Sequence, residues 1–264
     1  MKAPMRTGIA LTSLAAALAL AACGGGGGGS SSTTSSSSGG GESALPPPGG
    51  EPANLNPADF TTEITNPYWP MKPGDKWVYR ETDPEGKVVQ DVVTVTNDTK
   101  AIANGIEARV LRDVVSDHGE PVEVTDDWYA QDKAGNVWYL GEDTAEYENG
   151  KVATREGSFE AGVDGAQPGV IMPGNPSVGQ EYRQEFYEGH AEDSAKIVAL
   201  GESVSVPFGQ FTDTVKTEDT SPLDQPPAVE NKFYVRGIGP VQTLGISGSE
   251  AGSSENLISY TPGA

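Results

Sequence analysis

Thirty-eight aspartates and glutamates against seventeen lysines and arginines make carboxylates the most abundant ionisable group in this 264-residue chain. Four adjacent pairs stand out: Asp126-Asp127, Glu142-Asp143, Glu192-Asp193 and Glu218-Asp219. Acid-base hydrolysis of a glycosidic bond needs two carboxyls about 5–10 Å apart across a cleft. Adjacent residues on a strand point to opposite faces, so these pairs do not supply that geometry by themselves. A solvated acidic surface is the simpler expectation. No Asp-x-Asp-x-Asp-Gly loop closed by a glutamate occurs, so calcium would need an irregular site. His118 and His190 are the two histidines, neither in a His-Glu-x-x-His pattern. Gly245-Ile246-Ser247-Gly248-Ser249 fails the Gly-x-Ser-x-Gly elbow at its last position. The glycine run after Cys23 lacks the lysine of a phosphate loop, and Gly237-Ile238-Gly239 runs into Pro240. No residue is assigned a catalytic or metal-ligating role, and no cofactor is expected beyond that irregular calcium site.

Aromatic residues come coupled: Tyr68-Trp69, Trp77 with Tyr79, Trp128-Tyr129 and Trp138-Tyr139. The last two pairs flank the turn Asp132-Lys133-Ala134-Gly135. With a four-residue loop, Tyr129 would face Trp138 and Trp128 would face Tyr139, making both faces of one hairpin aromatic. One face can be core. The other must meet a second layer of the same domain, a ligand such as a glycan or an apolar molecule, or a protein partner. Trp77, Tyr79, Trp128, Tyr129, Trp138 and Tyr139 are therefore the candidate ligand-facing residues.

The elements that would carry these residues begin with an export signal. Lys2 and Arg6 precede a short apolar run from Ile9 to Leu18, interrupted by Thr12 and Ser13, and Leu20-Ala21-Ala22 leads into Cys23. That order is a signal peptide over 1–22, too short to span about 30 Å of hydrocarbon. Leu20-Ala21-Ala22-Cys23 resembles the lipobox of bacterial lipoproteins, which implies cleavage before Cys23 and acylation of its sulfur. Cys23 is the single cysteine, so no intramolecular disulfide forms and the fold relies on its core. Acyl chains, each methylene worth about 0.8 kcal/mol, would make the membrane a partner. Gly24, rather than Asp, resembles default sorting to the outer membrane where the envelope is Gram-negative. The formal net charge of −21 becomes −23 without Lys2 and Arg6, and such a surface repels nucleic acid.

Gly24 to Glu51 is Gly, Ser, Thr and Pro with almost no apolar side chains, which predicts a disordered tether over 23–51 with a span of roughly 30 Å. Residues 52–264 show short β-branched and aromatic runs between turn signals, among them Asp83-Pro84-Glu85-Gly86, Asn104-Gly105 and Asn149-Gly150. An all-β antiparallel meander is predicted, forming a sandwich or a strongly curved half-open barrel with little helix. Gly162 to Gly179 interrupts the pattern. Pro73-Gly74-Asp75-Lys76-Trp77 and Val178-Gly179-Gln180-Glu181-Tyr182 leave open two similar halves that break there.

Asn66-Pro67-Tyr68-Trp69-Pro70-Met71-Lys72-Pro73-Gly74 with Trp77-Val78-Tyr79, and the stretch from Asp127 to Glu142, resemble a family of uncharacterised bacterial secreted proteins and lipoproteins. The likeness runs from about Asn66 to Gly239, and it implies a β-rich domain but no activity. The expected function is that of an exported, envelope-anchored lipoprotein whose non-catalytic β-domain binds a small molecule, a glycan or an envelope protein. An acid-base polysaccharide hydrolase and a half-barrel carrier of apolar cargo remain the alternatives.

Overall fold

The structure, a computed structural model, describes residues 44–264. The signal peptide, Cys23 and the tether up to Ser43 lie outside the described residues. The expected all-β architecture is what the chain adopts. Sixteen antiparallel strands occur among the described residues, with two short 3-10 turns at Pro57–Asp59 and Gly248–Glu250.

After β1 (Phe60–Thr61), a meander runs through β2 (Lys76–Thr82), β3 (Val88–Ala101), β4 (Glu107–Asp117), β5 (Glu120–Asp132) and β6 (Val137–Glu148). Shorter pieces follow: β7 (Lys151–Thr154), β8 (Phe159–Glu160), β9 (Gln167–Met172), β10 (Glu181–Arg183) and β11 (Glu185–Phe186). A second meander holds β12 (Ser194–Val206), β13 (Gly209–Ser221), β14 (Ala228–Val235), β15 (Gly239–Ser247) and β16 (Ser254–Thr261). Asn149 and Gly150 both take positive φ between β6 and β7, as their type I′ signal requires.

All strands belong to one sheet, because β16 pairs with β2 and so joins the second meander to the first. The sheet curls into a nearly closed barrel. Closure falls to residues 181–186. β10 pairs with β12 at one edge, and β11, one residue later, pairs with β9 at the other. Gly169 lies on β9 at that crossing, where a Cβ would stand 2.1 Å from the Gln184 carbonyl oxygen. Only glycine admits so close a backbone approach. The Gly/Pro-rich stretch expected to separate two halves thus carries a strand of the common sheet.

Arg183, almost fully buried, fastens the entry to the domain. Its guanidinium donates to the carbonyls of Pro168 (3.0 Å), Glu51 (2.9 Å) and Gly49, while its backbone N–H donates to Pro46 (2.9 Å). The end of the low-complexity stretch, Leu45 to Glu51, is therefore held on the barrel and the folded body begins before residue 52.

The hairpin between β5 and β6 departs from its expected register. Gly135 (φ +85°) donates to the Asp132 carbonyl and the Asp132 N–H donates to Asn136, both at 3.0 Å. This is a three-residue loop with a glycine bulge, not a four-residue loop, and partners move by one position. Tyr129 faces Tyr139, and Ala130 faces Trp138. The Asp132 carboxylate stabilises that choice by accepting from the Ala134 and Asn136 N–H groups, the Asn136 amide and the Trp138 indole N–H.

Candidate functional site

Five of the six candidate aromatics are sealed into the core, at 0–1 % exposure, and none forms an open platform. Trp77 lies between Trp69 and Tyr260, ring centroids 5.3 Å away in each case, and its indole donates to the Ile238 carbonyl. The Tyr79 hydroxyl donates to the Pro240 carbonyl at 2.9 Å. Trp138 packs edge-on against Phe60 of β1. Tyr129 and Tyr139 pack together at 5.0 Å, and Tyr139 meets Phe159 edge-on. Both faces of the aromatic hairpin are packed within the domain.

Trp128, also buried but 8 % exposed, differs in that its edge borders a surface groove of about 620 Å³ that also touches Val110, Phe159, Lys100, Arg112 and Asp126. Two bulges frame it. Between Val95 and Thr99, β3 carries two more residues than β4 does between Leu111 and Arg109. Arg109 steadies this outward bow by donating to the carbonyls of Asn97 (3.2 Å) and Asp98 (3.4 Å). On the other side, β6 carries one extra residue between Tyr139 and Glu142. Gly141 sits there at φ +129°, with the place of a Cβ 2.2 Å from the Phe159 carbonyl oxygen. Bulges re-aim side chains and open the ladder, and here they leave Trp128 facing a recess.

Most charges around that recess are engaged. Lys100 holds its ammonium 4.6 Å from the Trp128 ring centre and pairs with Glu160 at 2.9 Å. Arg112 grips Asp126 with two hydrogen bonds, at 2.7 and 2.6 Å, and Arg155 pairs with Asp143. A mixed aromatic and polar wall of this size suits a small ligand.

A second site was not expected from the sequence. The acidic pairs do point apart, but one member of most of them turns inward: Asp127, Glu142 and Asp219 are buried, where a solvated surface was expected. Tyr139 places its single phenolic O–H 2.8 Å from both Asp127 and Glu142. One proton cannot be donated to both, so the phenol oxygen is also positioned to accept from a protonated carboxyl. In the second meander, Lys232 on β14 supplies positive charge, 3.2 Å from Asp219 and 3.8 Å from Glu230.

The strongest concentration spans β16, β2, β3 and β4. Glu255 and Glu81 face each other directly across their ladder. Asp91 lies diagonal to Glu81, and Asp113 diagonal to Asp91. All four are 0–3 % exposed. Glu81, Asp91 and Glu255 each bring an oxygen within 4.8 Å of the others. At an effective dielectric of about 20, one pair of like charges at that separation costs about 3–4 kcal/mol. Burial first, then Asp113, pushes the Asp91 carboxyl well above the usual range. Burial and then Glu255 do the same for Glu81. Glu255 is pushed to about 8, mainly by burial, with the Thr243 hydroxyl pulling the other way. An interior with this much carboxylate, filled by Trp77 and Tyr79, is unsuited to apolar cargo. The one sequence signal for it was strand alternation, which turns every second residue of an acidic strand inward.

No protein-family model and no curated protein matches the chain. Among solved structures, the chain is similar to a protein inferred to be exported, with a YmcC-like fold, from Bacteroides fragilis. That likeness covers 74% of this chain and 99% of the other at 16% identity, with a TM-score of 0.43. It is also similar to a protein inferred to be a lipoprotein from Parabacteroides distasonis, over 74% of this chain and 98% of the other at 15% identity and a TM-score of 0.42.

Proposed function

We propose that this chain is an exported lipoprotein, anchored to the cell envelope through acylated Cys23, whose β-barrel binds a small polar, ring-shaped ligand without transforming it. The anchor rests on the basic, apolar and small-residue order that ends at Cys23. Binding rests on one observation, the groove beneath the β3 bulge. There Trp128 offers an apolar wall, Lys100 offers hydrogen-bond donors, and the Arg112–Asp126 pair supplies polar groups of both signs. A small sugar has the matching chemistry, an apolar patch for the exposed edge of the indole and hydroxyls for the rim. Paired charges favour recognition over proton transfer, since Asp126 and Asp143 are both occupied by arginine.

Two measurements test the two halves of this reading. Titration of the chain with a panel of soluble glycans is expected to change its tryptophan emission, and Trp128→Phe should remove that change and weaken calorimetric binding at least tenfold. Binding that survives Trp128→Phe unaltered would end the assignment of the groove. For the anchor, Cys23→Ser should shift the protein from the membrane to the soluble fraction, or leave it unprocessed. Normal membrane fractionation and processing of that variant would refute acylation.

A further inference from the structure

The acidic cluster of β16, β2, β3 and β4 presents more than proximity. Glu81 Oε1, both carboxyl oxygens of Asp91, Asp113 Oδ1 and Glu255 Oε1 are buried and receive no N–H or hydroxyl donor; the contact between the Asp91 and Asp113 carboxyls is what engages that pair. Buried polar atoms are normally paired, and an orphan calls for a proton, a water or an ion. Donors nearby are engaged elsewhere: Lys232, two strands from Glu255 on the same face, draws that carboxyl down but pairs directly with Asp219 and Glu230. The Tyr79 hydroxyl serves Pro240, and the Thr243 hydroxyl serves Glu255 Oε2. Asp91 has no exposure, and its one polar partner is the Asp113 carboxyl, which leaves Glu81 Oε1 and Glu255 Oε1 as the orphans that face each other across the ladder.

We infer that Glu81, Asp91, Asp113 and Glu255 form a binding site for one divalent cation of the calcium class inside the barrel. The donor set is all oxygen, with neither histidine nor cysteine, which selects a hard ion over zinc or copper. Calcium takes six to eight oxygens at about 2.3–2.6 Å, so ligand oxygens on opposite sides of one ion stand up to about 5 Å apart. The spread of 4.8 Å among the ligand oxygens of Glu81, Asp91 and Glu255 fits that span. Magnesium, at about 2.0–2.1 Å, would require a tighter cage. Each ligand sits on a strand locked on both sides by ladder hydrogen bonds, so the cage is rigid. The ion would sit at the seam where the C-terminal strand meets β2, and so would clamp the joint between the two meanders.

The full chain, purified without chelator, is expected to carry about one calcium per molecule by elemental mass spectrometry. After removal of the metal at low pH and return to pH 7.5, added calcium should raise the melting temperature by about 10 °C at a thousandfold excess over its Kd. Asp91→Asn and Glu81→Gln should each reduce bound calcium at least tenfold and abolish that rise. The wild-type measurements stand alone if either variant fails to fold. Less than a tenth of an equivalent of metal, together with a melting temperature indifferent to calcium, magnesium and manganese, would overturn the site. Stoichiometric magnesium or manganese in place of calcium would overturn the assignment of the ion.

Discussion

Replacing Lys232 by methionine keeps most of the length of the side chain and removes its charge from a buried group of three. Asp219 lies 3.2 Å from the ammonium and Glu230 lies 3.8 Å from it. At an effective dielectric of about 20, those separations correspond to attractions of about 5 and about 4 kcal/mol. The ammonium's own loss of hydration, several kcal/mol, offsets part of that sum. Breaking one partner from a buried pair typically costs about 3–5 kcal/mol, because the acids left behind lose their compensation. For a domain of this size, about 4 kcal/mol lowers the melting temperature by about 8–16 °C.

The deficit should depend on pH, and its sign follows from Glu230. Burial raises that carboxyl and Lys232 opposes the rise. Without the lysine it moves further up, so folding takes up a proton over a wider interval above the ordinary carboxyl range. Stability is then lost as pH rises across that interval. Urea unfolding of Lys232→Met against wild type, followed by tryptophan emission, should show the larger deficit at pH 8 and the smaller at pH 5. Equal deficits at the two pH values, or none at pH 8, would refute the claim that this lysine holds the acidic interior together.

Other consequences are more local. Gly141→Ala forces a methyl against the Phe159 carbonyl at a positive φ, and should cost at least about 2–3 kcal/mol by denaturant unfolding while weakening glycan binding at the adjoining groove. Arg183→Met removes the donors that hold Gly49, Glu51 and Pro168. Amide exchange over residues 44–56 should speed up at least tenfold while β3 and β4 stay protected. Glu250, pushed to about 7 by burial and then by Glu230, takes up a proton on folding between the ordinary glutamate value and about 7. Stability should fall as pH rises through that window, and Glu250→Gln should flatten the slope.

Much of this fold could be read from local chemistry. Strand alternation located both meanders, and in the first most turns were also marked by a residue that tolerates positive φ, as at Gly86, Gly105, Gly135 and Gly150. Gln167–Met172 was hidden because Pro168 and Gly169 look like breakers. The proline occupies the short pairing with β11, and the glycine is there for the barrel's closing approach, a constraint created by residues 183 and 184. The partners across the aromatic hairpin were displaced because one loop residue decides register, and Asp132 makes the three-residue loop the stable one.

The acidic interior was the least legible feature, although its ingredients stood in plain view. Alternation states that one of two neighbouring acids turns inward, but not that four strands will turn theirs toward one point. That depends on β16 pairing with β2 across some 175 positions of sequence, which brings Glu255 opposite Glu81. Like charges directly opposed on a ladder are destabilising, and burial makes them more so. A barrel meant only to be stable would place Thr or Val there, as it does at Thr243 and Val93 on the same inward face. Four buried carboxyls, two of them sharing a hydrogen bond and with positive charge reaching them only from Lys232, two strands away, therefore describe a site that is costly without further positive charge. Such a site couples the folding of the barrel to whatever cation completes it.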